Sequence, residues 1–318
     1  MKKLLLLLLL ISTSAMAWTP SKQINVIIPF APGSGNEASF RLVATKIEKE
    51  KNVSFVIHNM PGADGNIGMN HFVEQPADGT WIAAPSCQNS FLAEALWPES
   101  MRYNPAELTP ITTLAKSPVV FIANRQSSIN SPTDLVKAIK TNQRPLFFAV
   151  GAANHKLVFA YLLDKLSVTN KNVSIVPYKS PGVAAMDVGG NHVELGIVSL
   201  SIAKNLSDSG KIKIIGIAGE EPISGFETIS LMKDTVPGLV SNACFDLVLP
   251  PKTTPEIQKW FVDAFVGSLK SKSTQKLFEE NFFIVDRSAL GPDGMLKDLE
   301  KLKNHWSKYI KDVSILTN

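Results

Sequence analysis

The stretch NVIIPFAPGSGNEASFRLVA, Asn25–Ala44, decides the fold class. An apolar run ends at Pro29 and enters a turn built from Pro32, Gly33 and Gly35. Beyond it lies a segment of helical character. A buried strand feeding a helix through a short glycine turn is the repeating unit of α/β proteins. Similar apolar, β-branched runs recur along the chain: VSFVI, WIAA, VVFIA, LFFAV, VSIV, VELGIV, IKIIGI, FDLVL and FFIV. Helical stretches separate most of them, which predicts an α/β protein with largely parallel sheets. The runs are almost continuously apolar, as expected of strands covered on both faces by helices.

Several helix starts are marked. Ser131-Pro132-Thr133-Asp134 supplies a capping serine, a proline at the first helical position and an acid in the first turn. Thr254-Pro255-Glu256 repeats the arrangement and predicts a helix to about Leu269. Leu296–Ile310 reads as a basic amphipathic helix whose apolar stripe packs on the core. No internal repeat or low-complexity tract appears. Extended segments meet prolines near Ser117–Asn124 and Cys244–Pro251, so these are the expected crossovers between two lobes. The expected division is residues 18–120 with 248–318 in one domain, and 121–247 inserted as the other.

The N-terminus reads MKKLLLLLLLISTSAMA: a basic start at Lys2 and Lys3, an apolar run, and small residues at Ala15 and Ala17. This is the pattern of a cleavable secretory signal peptide, with Trp18 as the first mature residue. The apolar run is shorter than the roughly 20 residues a membrane span needs. An exported chain is expected; the periplasm as its location and a monomer as its state are expectations that rest on the resemblance given below. The net charge of +4 falls to +2 once Lys2 and Lys3 leave, too mild a balance to argue for nucleic acid. The two cysteines, Cys87 and Cys244, allow either a disulfide or two small buried thiols.

Catalytic signatures are absent. The five histidines, His58, His71, His155, His192 and His305, form no H-x-x-x-H pair. There is no G-x-S-x-G elbow and no phosphate loop ending in G-K-[ST]. No metal and no catalytic residue are expected. The opening turn does contain G-x-G-x-x-A at Gly33, Gly35 and Ala38. A dinucleotide, however, asks for an acid after the second strand. Here that strand ends in His58-Asn59-Met60-Pro61-Gly62, and an exported chain is an unsuited host for NAD. No cofactor is expected. What remains is the shared physics: glycines and a helix N-terminus hold an anion. Comparable strand-to-helix turns lie at Pro61–Gly68, Pro85–Asn89, Gly151–His155 and Pro177–Gly182. In open α/β sheets, ligands bind beyond the carboxyl ends of strands, and two lobes presenting such turns to one cleft form a clamshell.

Taken in order, these segments resemble the periplasmic solute-binding proteins of tripartite tricarboxylate transporters, the TctC or Bug family. The resemblance covers nearly the whole mature chain. PSKQINVIIPFAPGSGNEASFRLVA resembles the family's opening P-S-K-P-I-x-x-I-V-P-F-x-P-G-G-G-x-D-x-x-A-R, and HNMPGADGNIG resembles E-N-R-P-G-A-G-G-x-I-G. QPADGTWI, VGAANHKL and VPYKSPGVAAMDVGGNHVELG follow the later segments. The resemblance implies two α/β domains of the type II periplasmic-binding kind, each a mainly parallel sheet flanked by helices, closing on a ligand. It implies no catalysis, a carboxylated metabolite as ligand, and the membrane permease subunits of a tripartite transporter as partners. A receptor feeding a sensor or another transporter class, and a secreted enzyme, are the alternatives.

The resemblance also implies that one carboxylate is gripped by the first strand–helix loop and by the loop opening the second domain. The expected site is Phe30, Ala31, Pro32, Gly33, Ser34, Gly35 and Asn36 from the first loop. Gly151, Ala152, Ala153 and Asn154 come from the second. Ser86, Cys87 and Gln88, then Tyr178, Lys179, Val198 and Ser199, surround the distal end. Departures from the family fall in these same places. Gly33-Ser34-Gly35-Asn36-Glu37 replaces G-G-G-x-D, Ala152 replaces a serine, and Cys87-Gln88 replaces an Asn-Gly pair. Lys179 is a candidate partner for a distal carboxylate, and Tyr178 a candidate wall. Packing is the expected role of the His155 ring, and loop order that of Glu37.

Overall fold

The structure is a computed structural model that describes residues 18–87, 98–141, 144–168 and 173–317. The stretch expected to be the leader, residues 1–17, and Gln88 lie outside the described residues.

Among the described residues, nine strands form one mixed sheet in the order β2-β1-β3-β9-β4-β7-β5-β6, with β8 also paired to β4. The first lobe is built on β1 (Gln23–Ile28), β2 (Ser54–Asn59) and β3 (Trp81–Ala83), with β1 parallel to both neighbours. The second is built on β5 (Leu146–Val150), β6 (Val173–Pro177) and β7 (Leu195–Ser199), with β5 parallel to both neighbours. The parallel arrangement therefore holds where the site loops emerge.

The join is antiparallel. β4 (Thr109–Asn124) pairs through Thr109–Pro118 with β9 (Asn242–Leu249), and through Val119–Asn124 with β7 and β8 (Ile212–Ile217). One strand thus runs through both lobes, and the two extended segments near the expected crossovers are strand partners. FFIV does not form a tenth strand, since only Ile284 bridges to Lys116.

Helices cover both faces, as the unbroken apolar strands require. In the first lobe α1 (Gly35–Lys51) and α7 (Pro255–Lys270) bury Phe40, Val43, Ile47, Phe261 and Phe265 against the sheet. α2 (Asn66–Val73) follows β2, and α8 (Lys272–Glu280) follows α7. In the second lobe α3 (Pro132–Thr141) starts as read: Asp134 N–H donates to Ser131 Oγ at 3.1 Å. α4 (Ala153–Leu166) is buried from Ala153 through Leu163, the behaviour of a helix enclosed on all sides. α5 (Pro181–Gly189) and α6 (Leu200–Asp208) pack on the opposite face.

The last helix, α9 (Gly291–Thr317), explains why α4 is enclosed. It leaves the first lobe and inserts Trp306 and Tyr309 into the second lobe's core beside Leu157 and Tyr161. Near its start Asp298, together with Asp286, pairs with Lys116 of β4 at 2.7 and 2.8 Å. On the same join Asp246 of β9 is buried. Its Oδ1 accepts from Thr113 Oγ1 at 2.7 Å, and its Oδ2 has no partner among the described residues. Cys87 and Cys244 form a disulfide with a Cα–Cα distance of 5.5 Å. It ties the end of the β3 segment to β9.

Candidate functional site

Four helices begin at one point between the lobes. Ser34 caps α1, and its Oγ accepts from Glu37 N–H. Ala152 precedes α4, Ser180 caps α5, and Ser199 precedes α6. The space they enclose measures about 30 Å³ and is lined by Ser34, Gly35, Asn36, Ala152, Asn154, His155 and Ser199. Phe30, Ser86, Pro181, Ile202, Ala243 and Phe245 complete the wall. A helix leaves its first N–H groups without internal partners. The ends of α1 and α4 therefore bring such donors, and the positive ends of two helix dipoles, from opposite lobes. No lysine or arginine lines this pocket among the described residues.

Local chemistry explains the geometry. Glu37 orders the first loop: its carboxylate accepts from Gly33 N–H at 3.2 Å, Asn59 Nδ2 at 3.1 Å and Arg41 Nε at 2.8 Å. Burial pushes its carboxyl up, but these hydrogen bonds outweigh it and hold the group below its ordinary value. Asn36 is held by donating to Ala84 O at 3.0 Å. Gly35 admits the ring of Phe245, which a Cβ would approach to 2.6 Å. Gly151 lies against the backbone of Ser180, where any Cβ would collide. Gly151→Ala should therefore force the β6–α5 loop away from the pocket. The expected cost is about 2 kcal/mol in urea unfolding, with weaker ligand binding.

A larger cavity of about 640 Å³ adjoins at Phe30. Its walls are Pro61–Gly65, Gly151, Lys156, Ile175, Pro177, Tyr178 and Lys179. Tyr178 presents its ring, since its hydroxyl donates to Asp187 Oδ2 at 2.6 Å. Burial and that carboxylate push the phenol up to about 12. Lys156 of the second lobe reaches Asp64 of the first at 3.3 Å, with both side chains largely buried. The pair spans the cleft. Lys156→Met should cost about 3 kcal/mol in urea unfolding, because it removes the cation that pairs with a largely buried carboxylate. Adding Asp64→Asn should recover most of that loss.

Of the residues expected at the site, Phe30, Ser34, Gly35, Asn36, Ser86, Gly151, Ala152, Asn154, Tyr178, Lys179 and Ser199 line one of the two spaces. Ala31, Pro32, Gly33, Cys87, Ala153 and Val198 line neither. Gly33 supplies a turn with φ 77° and Cys87 is in the disulfide. Val198 faces the core with Val120 and Ala149, one step out of register with Ser199. Sequence reasoning missed Asp64, Lys156, Ala243 and Phe245 as wall residues. The P-G-A-D-G turn marked the first, but nothing local marked the others. The described residues contain no cluster of three His, Cys, Asp or Glu side chains able to hold a metal. No described helix is long and apolar enough to cross a membrane.

The family model described as the tripartite tricarboxylate transporter family receptor, TctC, matches residues 39–301. The chain belongs to that family. Among its relatives, Protein BugT of Bordetella pertussis is 25% identical over 264 residues, covering 81% of this chain and 80% of BugT. A UPF0065 protein of Pseudomonas sp. is 23% identical over 94% of this chain and 88% of its own. Two solved structures share the fold. An R. palustris protein solved with adipate has a TM-score of 0.85 at 23% identity, covering 93% of this chain and 98% of that one. MatC from Rhodopseudomonas palustris, with bound malate, has a TM-score of 0.82 at 21% identity, covering 93% and 99%. In this TctC chain two of the departures from the family's pattern, Ser34 and Ala152, line the small pocket, while Glu37 and Cys87 line neither space.

Proposed function

We propose that this TctC receptor is exported to the periplasm and captures a small carboxylate-bearing metabolite by closing two lobes upon it. It then delivers the ligand to the membrane permease subunits of a tripartite tricarboxylate transporter, acting as a monomer and without turnover. The lobes divide near residues 120 and 247, with α9 reaching back across the inserted one.

The observation that carries this reading is the meeting of α1 with α4, α5 and α6 at one small pocket. Backbone donors and helix dipoles there favour a single anionic group without needing a cationic side chain. The larger cavity takes the rest of the ligand. It offers an apolar floor in Phe30, Ile175 and Pro177, and the exposed Lys179 for a second anionic group. Malate and adipate, bound by the two structural neighbours, are dicarboxylates, which supports a second anionic group in the ligand. Because Asp64 and Lys156 meet only across the cleft, a ligand that draws the loops together also favours that pair.

A thermal-shift screen of organic acids tests the reading, since a ligand that binds only the folded protein raises its melting temperature by mass action. The expected result is a rise with one or more carboxylates. A rise with uncharged or cationic solutes and none with any carboxylate would refute it. N-terminal sequencing of the exported protein should begin at Trp18.

A further inference from the structure

The loop Pro61–Gly65 walls the larger cavity on the first-lobe side. Its backbone is strained. Gly62, Ala63, Asp64 and Gly65 all have positive φ, at 133°, 45°, 49° and 100°. Glycine takes such values freely, whereas other residues rarely do. Among the described residues, Ala63–Asp64 is the one place where two successive non-glycine residues share this conformation. The family's P-G-A-G-G-x-I-G pattern has glycine where Asp64 stands. Strain of this kind persists only where the surroundings hold it. Inside the loop, Gly65 N–H donates to Gly62 O at 2.9 Å. A further hold comes from the other lobe, where Lys156 Nζ lies 3.3 Å from Asp64 Oδ2.

Lys156 stands where a cation is costly. Its side chain is 8% exposed, and that of Asp64 is 16% exposed. It belongs to the first turn of α4, where the positive end of the helix dipole opposes a cation. A cation desolvated there needs an anion, and the Asp64 carboxylate supplies one. The two residues lie on opposite sides of the cleft and both line the larger cavity. Parting the lobes separates the charges and returns each to water. The loop then also loses a contact that holds Ala63 and Asp64 in the left-handed region.

We propose that Lys156 and Asp64 form a latch: when the lobes meet, the pair holds the loop Pro61–Gly65 as a lid on the larger cavity, and the ligand leaves only after the pair breaks. The latch rests on the two-lobe closure proposed above and adds what sets the residence time of the ligand. Both are positioning residues, and the grip on the carboxylate stays with the small pocket.

Stopped-flow binding by the full mature protein tests it, with malate, succinate, glutarate and adipate as probes. The variants are Asp64→Asn, Lys156→Met and the two combined. Dissociation should quicken about tenfold in the double variant, and association should not slow. The single variants should quicken it by similar factors that do not multiply, because either change breaks the whole pair. The double variant regains most of the stability that Lys156→Met loses, so an effect of stability alone would be reversed in it, and fast release would not. In the ligand-free proteins, amides of residues 62–67 should exchange hydrogen at least about fivefold faster in the double variant than in the wild type, with those of β1 unchanged. This readout stands even where Lys156→Met fails to fold. Wild-type dissociation in the double variant, a loss of affinity carried by slower association alone, or unchanged loop exchange overturns the latch while leaving the carboxylate clamp intact. Binding of none of the four acids counts against the carboxylate reading, and loop exchange still decides the latch.

Discussion

Replacing Cys87 and Cys244 together by alanine is expected to lower the unfolding free energy by about 5 kcal/mol, the loop-closure entropy of a cross-link spanning some 157 residues. The closed loop contains the whole second lobe, so the unfolded chain is restrained over half its length. In the folded state the bond adds little that is not already present, because Cys87 N–H donates to Cys244 O at 3.1 Å and Ser86 bridges Phe245. The effect should therefore appear mainly in the unfolded state. Urea unfolding of the oxidised, reduced and doubly substituted proteins separates these contributions. Reduction and substitution should move the midpoint by similar amounts, and the slope should rise as the unfolded chain becomes less compact. An unchanged midpoint on reduction would show that the cross-link does not restrain the unfolded chain. Ligand affinity should also fall, since Ser86, next to the bond, lines the small pocket.

The second large effect is a pH dependence carried by Asp246. Burial pushes its carboxyl up to about 7, and Asp298 adds to this, while the Thr113 hydroxyl and Lys116 pull it down. A raised carboxyl favours the folded state only while it stays protonated. Below the unfolded value of 3.8 both states hold the proton and there is no penalty. Between pH 4 and pH 7 the unfolded chain ionises while the folded one does not. The contribution of this carboxyl falls through that window by about 4 kcal/mol and levels off above it. The buried His155 ring, pushed down to about 3, opposes it up to pH 6.5, because there the unfolded imidazole holds a proton that the folded one does not. Asp286, held at about 2 against its own burial by Lys116 and Ser288, contributes in the opposite direction but at lower pH. The opposed contributions of Asp246 and His155 leave the wild-type profile nearly level between pH 4 and pH 6.5, so the Asp246 effect is read as the difference between the wild type and Asp246→Asn. Asp246→Asn should make stability rise from pH 4 to pH 6.5 and leave the protein more stable than wild type at pH 8. Its amide oxygen can still accept from Thr113, and no charge has to be buried. Chemical denaturation at intervals from pH 4 to pH 9 decides the matter. A difference in stability between wild type and Asp246→Asn that stays constant from pH 4 to pH 8 would contradict it.

The legible parts of this protein are those where chemistry acts over a few residues. PFAPGSGNE and VGAANH announce strand, turn and helix start by their glycines, proline and capping groups, and the structure sets both around one pocket. Glu37 was readable as a loop organiser because its partners Gly33 and Arg41 are four residues away. What was not legible depends on long-range pairing. VVFIA and FDLVL fall in the two segments expected as crossovers, yet nothing in either says that their strands, β4 and β9, pair antiparallel to form the join. The Lys156–Asp64 pair links residues 92 positions apart. Phe245 is part of the pocket only because β9 passes beside the start of α1, where Gly35 leaves room for its ring. The cysteines allowed two readings until β9 brought their Cα atoms within 5.5 Å. The run around Leu296 reads correctly as amphipathic, yet a stripe does not name its partner, and this one packs partly on the other lobe.

The route of β9 and α9 also fixes an order of assembly. The first lobe's sheet has no strand between β3 and β4 until residues 242–249 arrive, and the second lobe's core lacks Trp306 and Tyr309 until the chain is almost complete. A chain appearing from its N-terminus therefore carries two unfinished half-cores through most of its synthesis, and both are closed by its last quarter. Long-range pairing of this kind is slow, because loop entropy is lost before any contact compensates for it. A fragment ending at residue 240 should collapse without the sharp unfolding transition of the full chain, and adding residues 241–318 as a separate peptide should restore it. The C-terminal quarter acts as the common closing piece of both lobes.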